Sequence, residues 1–314
     1  MKEPLVSIII PTYNRIDSLK IALDSALKQN YDNLEIVVSD DCSTDGTDVF
    51  ISKYLDNPKI KYFRNEMNLQ FAGNHRQAIM NYAKGEYGLI LSDDDYLINS
   101  EFVSKAVIEL ERNQNLSFIG TSFQVLFKKT NKKKVYNTDF PKVMNGKEYL
   151  IQRLKPNGFI FFIGSVVFRM KNAISLNPFN VENPAADGEF IDKLSLLGDI
   201  GFLNIISVCY SIHENNWSKR IIDLDKRIKE FDCPLRVIAF ANDIKVYDKR
   251  LEEYKIDFEK KSAIKIYKDI FYHFSLNFKL LKKARLKIKD KTGSSYFNPI
   301  NILISIIKFK LLGF

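Results

Sequence analysis

Three consecutive carboxylates, Asp93, Asp94 and Asp95, close the apolar run Leu89-Ile90-Leu91-Ser92. A short apolar run with a polar stop reads as a buried strand, which places the three acids at its C-terminal edge. Adjacent carboxylates repel one another, so such an edge makes physical sense when a cation or a set of hydroxyls stands opposite it. Magnesium or manganese suits the position, because each is held by one or two carboxylates together with phosphate oxygens. The alternative is that the aspartates cap a helix beginning near Asn99. On these residues alone both readings stand.

The elements that must position the acids follow from the order of the chain. Residues 5–10 read as a buried parallel strand, and Pro11, Thr12, Tyr13, Asn14 and Arg15 as the loop that breaks it. Asp17 then caps a helix with Leu19, Ala22, Leu23, Ala26 and Leu27 on one face, stopping at Asn30. Residues 34–39 form a second strand ending at Asp40-Asp41, and the turn through Gly46 opens a helix to about Tyr54. Residues 60–63 give a third strand, and residues 77–83 complete a helix before the strand that carries the acids. Strands alternating with helices imply a mostly parallel sheet with ligands beyond the strands' carboxyl ends. That arrangement brings residues 11–15, Asp40-Asp41 and Asp93–Asp95 to one rim. An acid on the second loop accepts from a base N–H or a ribose hydroxyl while the acidic triplet holds a metal on phosphates, a combination that suits a nucleoside diphosphate. Neither Gly-x-Gly-x-x-Gly nor Gly-x-x-x-x-Gly-Lys occurs, which argues against dinucleotide binding and a P-loop ATPase.

Composition sets outer bounds. With 314 residues, 46% of them hydrophobic, the chain has material for one large domain or two modest ones. Met1-Lys2-Glu3-Pro4 leads straight into a strand pattern without a signal-peptide cleavage site, and no stretch reaches the roughly 18 to 20 apolar residues that span a bilayer. A cytoplasmic location is expected. Cys42, Cys209 and Cys233 lack metal-ligand spacing and read as reduced, mostly buried thiols. The net charge of +9 is uneven: Lys279, Lys282, Lys283, Arg285, Lys287, Lys289 and Lys291 face the single acid Asp290.

Residues 6–15, residues 35–47, and Lys84-Gly85-Glu86-Tyr87 running into Asp93-Asp94-Asp95 resemble, in order and spacing, the successive motifs of family 2 glycosyltransferases. The resemblance covers about residues 5–100. It implies an α/β GT-A fold, a Rossmann-like mostly parallel sheet flanked by helices, with a nucleotide-sugar donor, a divalent Mn2+ or Mg2+ and an inverting transfer. By the same resemblance Pro11, Thr12 and Tyr13, with Arg15 beside them, pack on the nucleotide and Asp41 hydrogen-bonds its base. Asp94 is then the metal ligand, and Asp93 lies nearer the ribose or sugar. Ser92 stands where many relatives carry a further acid, and Gln70 where glycine is common. Arg76 reads equally as a phosphate ligand or a solvated helix arginine.

The acceptor side should come from the second half. Residues 164–169 are strand-like, and residues 183–190 form a loop entering a helix with Phe190, Leu194 and Leu197 as its apolar face. Asp187 resembles the family's general base, although Ala186 replaces the preceding acid; a helix-capping role is the alternative. Asp192, inside that helix, reads as structural. A carboxylate is needed there because an acceptor hydroxyl is a weak nucleophile at neutral pH. His213, after a strand, resembles the histidine that approaches the metal or diphosphate, whereas His75 and His273 read as structural. Trp217 either stacks on acceptor sugar or packs under its loop.

Beyond about residue 222 the pattern turns helical and basic, with Ile228, Phe231, Leu235, Ile238 and Ala239 as an amphipathic face. Residues 297–312 are too short to span, and lie in a bilayer interface or pack on protein. The expected organisation is a glycosyltransferase domain over 1–222, with a nucleotide-sugar half at 1–100 and an acceptor half at 101–222. A basic helical region over 223–314 follows, a place for peripheral membrane or homodimer contact. The expected function is transfer of a sugar to a glycan or lipid-linked acceptor in surface-polysaccharide synthesis, without nucleic acid as a partner. The rivals are a non-catalytic nucleotide-sugar-binding regulatory or scaffold subunit and a sugar-phosphate nucleotidyltransferase. The second would need a glycine- and arginine-rich first loop, which residues 11–15 are not.

Overall fold

The computed structural model describes residues 3–136, 140–155, 158–213, 224–274 and 278–293. Two compact units emerge. The first comprises Met1–Arg153, Asn157–Glu182 and Ala186–Glu214, and the second Leu154–Pro156, Asn183–Ala185 and Asn215–Phe314.

The first unit is built on one sheet. Its strands are β1 (Val6–Thr12), β2 (Leu34–Asp40), β3 (Ile60–Arg64), β4 (Tyr87–Ile90), β5 (Tyr96–Leu97), β6 (Leu116–Phe127), β7 (Lys132–Tyr136), β8 (Val143–Asn145), β9 (Val166–Arg169) and β10 (Asp199–Ile212). Their order is β3-β2-β1-β4-β9-β6-β10-β5, with β7 on β6 and β8 on β10. β1, β2, β3, β4, β6 and β10 run one way, and β9 lies antiparallel between β4 and β6. The segment read as strand-like from residue 164 is a short 3-10 turn, Ile163–Ser165, followed by β9.

Around the sheet stand α1 (Ile16–Leu27), α2 (Thr47–Ser52), α3 (Gln70–Gln77), α4 (Phe102–Arg112), α5 (Gly146–Gln152), α6 (Met170–Ser175) and α7 (Ala186–Ser195). The core joins the buried face of α1, at Leu19, Ala22, Leu23 and Ala26, to the strand residues Ile8, Ile10, Ile36, Val38 and Leu89, and to Phe102 and Val103 of α4. Burying side chains of this size is worth about 1.5–3 kcal/mol each relative to exposure, which is why near-continuous apolar runs specify these strands.

Several expected boundaries move. β1 does not break at Pro11: Pro11 pairs opposite Ser39 and Thr12 opposite Asp40. Ile9 accepts from the Leu91 amide, so Pro11, two residues on, turns its nitrogen towards β4 where that strand has already ended. The missing N–H is therefore not needed. Asp17 stands in the first turn of α1, after an N-cap at Arg15. The helix expected at 77–83 is in two parts, α3 from Gln70 and a π turn over Ala78–Tyr82. The helix after the aspartates begins at Phe102, three residues beyond Asn99.

β10 is fourteen residues long and carries register shifts between Leu203 and Ile206 and between Ile206 and Val208. Such bulges bend a strand and increase its twist. The bend curls the sheet, so the chain leaving β4 reaches β10 directly and pairs with it as β5, Leu97 opposite Val208.

The second unit is helical. Its core contains Leu224, Phe231, Ala263, Ile266, Tyr267, Ala284 and Ile288. These come from α8 (Leu224–Ile228), a 3-10 turn at Lys229–Asp232, α10 (Leu251–Phe274) and α11 (Phe278–Thr292), with α9 (Cys233–Asp243) following the 3-10 turn. The buried face of α9 is Cys233, Pro234, Val237 and Ala241, while Leu235 and Ala239 are exposed. The 3-10 turn advances the backbone by a different angle than an α-helix, so the apolar stripe read from Ile228 loses its phase. Cys42, Cys209 and Cys233 are free thiols, the last two buried. Trp217 and the apolar stretch 297–312 lie outside the described residues.

Candidate active site

The acids that end β4 meet the loop after β1 and the end of β10. Thr12 donates its hydroxyl to Asp93 Oδ2 at 2.8 Å. Arg15 Nη1 reaches Asp93 Oδ1 at 3.0 Å and Asp94 Oδ2 at 2.7 Å. His213, the residue after β10, has Nε2 3.1 Å from the same Asp94 oxygen. Asp95 turns away and accepts the Ser211 amide at 2.8 Å, which fixes the acidic loop to β10 and thereby brings His213 against Asp94. Asp93, Asp94 and Asp95 are all buried.

Burial of so much like charge has consequences. The Asp93 carboxyl is pushed up to about 6 by burial and by Asp94, against the pull of Arg15 and Thr12. Burial and then Asp94 raise Asp95 well above the usual carboxylate range. Burial works against the Arg15 guanidinium, but Asp93 and Asp94 outweigh it and hold its pKa above the ordinary value. Burial lowers His213, opposed by Asp94 and reinforced by Lys128 and Arg15, and this favours the neutral imidazole.

Asp41 lies on the next loop of the same rim. Its Oδ1 accepts from the Leu69 amide at 2.7 Å and from Asn65 Nδ2 at 3.0 Å. Burial raises its carboxyl, the Leu69 and Asn65 donors opposing. Asn65 also donates to Asn74 Oδ1, which accepts from Ser39, and Tyr82 donates to Asn65 Oδ1. Tyr82 comes from the π turn, a device that recurs at functional sites. Asn65 was not legible as a partner of Asp41, nor Asn74 as the partner of Asn65, since the first pair lies 24 residues apart in the chain and the second 9. Pro11 is buried and Tyr13 is 45% exposed at the rim. Asn14, at φ 52°, accepts from the Thr44 amide and ties the first loop to the second.

The other candidates have the following local partners. Arg76 donates to Asn177 Oδ1 at 2.6 Å. Asp187 is half-buried in the first turn of α7, where its Oδ1 accepts from the Gly188 amide at 2.8 Å; an acid there is favoured by the helix dipole. Asp192 is fully buried and paired with Arg153. His75 is buried, bonded through Nδ1 to the Phe71 carbonyl and packed on the Phe71 and Phe179 rings. His273 is a residue whose side chain lies outside the described set. Gln70, where glycine is common in the family, adopts φ 64°, the left-handed region that favours glycine.

The donor set fits a hard divalent cation. Asp94 offers a carboxylate and His213 a neutral ring nitrogen at one point, and among the described residues Asp95 Oδ2 is buried without a hydrogen-bond partner. No cluster of three or more His, Cys, Asp or Glu ligands occurs among the described residues, so phosphate and water oxygens would complete the shell.

A curled mixed sheet with this acidic strand end has the GT-A architecture. A solved structure of Staphylococcus aureus TarS with UDP-GlcNAc superimposes with a TM-score of 0.67 at 19% identity, covering 92% of this chain and 80% of that one. A Pyrobaculum calidifontis mannosyltransferase in complex with GDP-Man and Mn2+ gives a TM-score of 0.55 at 18% identity, covering 99% and 81%. The sequence matches the model for Glycosyl transferase family 2 over residues 7–175, more than half of the chain, and the protein belongs to that family. Asp187 and His213 lie beyond the matched residues.

Among curated relatives, a Campylobacter jejuni GalNAc(5)-diNAcBac-PP-undecaprenol beta-1,3-glucosyltransferase is 33% identical over 38% of this chain and 44% of its own length. Escherichia coli WfgD, a UDP-Glc:alpha-D-GlcNAc-diphosphoundecaprenol beta-1,3-glucosyltransferase, is 32% identical over 40% of this chain and 48% of its own. Pasteurella multocida chondroitin synthase is 30% identical over 71% of this chain and 22% of its own. The chain thus spans less than half the length of these relatives.

Proposed function

We propose that the protein transfers a sugar from a nucleotide-sugar donor to a hydroxyl of a glycan or lipid-linked acceptor, inverting the anomeric carbon in one displacement, as a step in surface-polysaccharide synthesis at the cytoplasmic face of the membrane. The observation that carries this reading is the convergence of Thr12, Arg15, Asp93, Asp94 and His213 on one rim, beside a buried Asp41. The names of the relatives support the acceptor class: two of those quoted act on undecaprenol diphosphate-linked sugars.

Asp41 accepts from the base, with the Leu69 and Asn65 donors holding its carboxylate in place. Tyr13 offers an exposed ring to the nucleotide, and Pro11 and Thr12 form the wall beneath it. Asp93, fixed by Thr12 and Arg15, faces the ribose or sugar. Arg76 lies on α3 as a further phosphate contact. Asp94 and neutral His213 would hold Mn2+ or Mg2+, which when bound neutralises charge on the diphosphate and makes it a better leaving group. Asp187 takes the proton from the acceptor hydroxyl as the new bond forms. A second nucleophilic carboxylate is not required for inversion.

The test is transfer to an undecaprenyl diphosphate-linked sugar, comparing wild type with Asp187→Asn. Loss of a general base predicts a fall in turnover of about 10²–10⁴-fold with donor binding intact. Unchanged turnover removes Asp187 from the chemistry. A non-catalytic binding subunit would show no turnover in either form while still binding donor.

A further inference from the structure

The hairpin of β6 and β7 carries charge that the proposed chemistry does not use. Lys128, Lys129, Lys132, Lys133 and Lys134 are all exposed on it, and no acid occurs in the sequence between Glu111 and Asp139. Among the described residues none of the five is paired with a carboxylate; Lys134 lies over the Tyr136 ring, 4.9 Å from its centroid. The hairpin is also placed at the site. The Lys128 amide donates to the Ile212 carbonyl at 3.0 Å, next to His213, and the Lys128 charge acts on the His213 ring.

Part of this charge guards an edge. β7 pairs only with β6, and lysines on a free edge strand block pairing with other chains. That covers Lys132, Lys133 and Lys134. It does not cover Lys128 and Lys129, which lie beyond the paired register that ends at Phe127 and Lys132, where no edge needs guarding.

We propose that this hairpin is the arm that docks on the anionic phosphate headgroup layer of the membrane carrying the acceptor, beside the donor site. The inference rests on the transferase reading above. Ammonium groups are compact, strongly hydrated point charges that bind phosphate without a rigid fork, which suits a headgroup layer more than one fixed oxyanion. Side chains alternate along β7, so Lys132 and Lys134 lie on one face and Lys133 on the other, surrounding the tip with positive charge. Among the described residues no helix is long and apolar enough to cross a membrane.

The experiment uses the full chain with three probes: phosphatidylcholine vesicles, the same vesicles with phosphatidylglycerol, and inorganic pyrophosphate. Lysine acetylation read by mass spectrometry reports which residues are covered, with the exposed Lys53 and Lys61 as internal controls. The expected result is protection of Lys129, Lys132 and Lys133 above the controls with phosphatidylglycerol and none with phosphatidylcholine alone. Protection by pyrophosphate alone would assign the arm to a free diphosphate group instead of the headgroup layer.

A Lys129→Gln, Lys132→Gln, Lys133→Gln variant should partition to the anionic vesicles about a hundredfold less at low salt, each lysine contributing about fivefold. Its thermal shift with nucleotide-sugar should match wild type. Protection no greater than at Lys53 and Lys61, or unchanged partitioning of the variant, overturns the proposal; the latter with new self-association leaves the lysines as edge guards only. If wild type shows no nucleotide-sugar shift, the transferase reading fails while the vesicle result still decides the hairpin.

Discussion

Gln70 holds a backbone conformation that an L side chain adopts at a cost, directly after Leu69, whose amide binds Asp41. Glycine would relieve that strain without removing an amide. Gln70→Gly is expected to stabilise the protein by about 1 kcal/mol, read as a shift of the urea midpoint at constant slope; a loss of stability would mean that the Gln70 side chain contributes contacts outweighing the strain. His75 gives a pH signature. Burial lowers its pKa to about 4, opposed by its bond to Phe71. Between about pH 6.5 and 4 the unfolded chain therefore binds the proton that the folded one refuses. Stability falls as the pH drops through that window and levels off below it, by up to about 3 kcal/mol. Urea titrations of wild type and His75→Asn at pH 7.5 and pH 4.5 check this, the variant losing less on acidification. The acidic triplet was legible because its residues are contiguous and close an apolar run. The bonds of Asn65 and Asn74 to the Asp41 network were not, because only the folded loops bring them together.

At the scale of elements, the first four strands were legible because apolar runs of that length have few other fates. The start of α3 was not: residues 68–76 have no apolar stripe, and the helix is held by tertiary contacts such as the Ala72 amide on Glu182 Oε2 at 2.9 Å. The curl of β10 was equally hidden, since bulges leave no periodic mark, yet it decides that His213 meets Asp94. Arg169 shows how an element is pinned. Buried at the end of β9, it donates to the carbonyls of Leu110, Asn113 and Leu116 and to the Tyr87 hydroxyl. Arg169→Met leaves these acceptors without their donor in a dry place, and roughly 3 kcal/mol or more of stability should go with it. Thermal unfolding of the variant measures the loss; a melting temperature within a degree of wild type would mean that water enters and takes the donor's place.

For the whole molecule, the family match and the GT-A architecture leave the site's working to be tested as a unit. In the proposed function donor affinity, metal and the acidic rim stand together: Asp94 and His213 would hold a cation on a diphosphate that Asp41 and Thr12 would place there. The direct measurement is calorimetric titration of wild type and Asp94→Asn with UDP-, GDP-, dTDP- and CDP-sugars, each in Mn2+, Mg2+ or EDTA. The expected result is binding to one nucleotide class that requires the metal, and an Asp94→Asn protein that behaves in Mn2+ as wild type does in EDTA. Binding that is indifferent to both EDTA and Asp94→Asn, or no binding of any nucleotide-sugar, would contradict it.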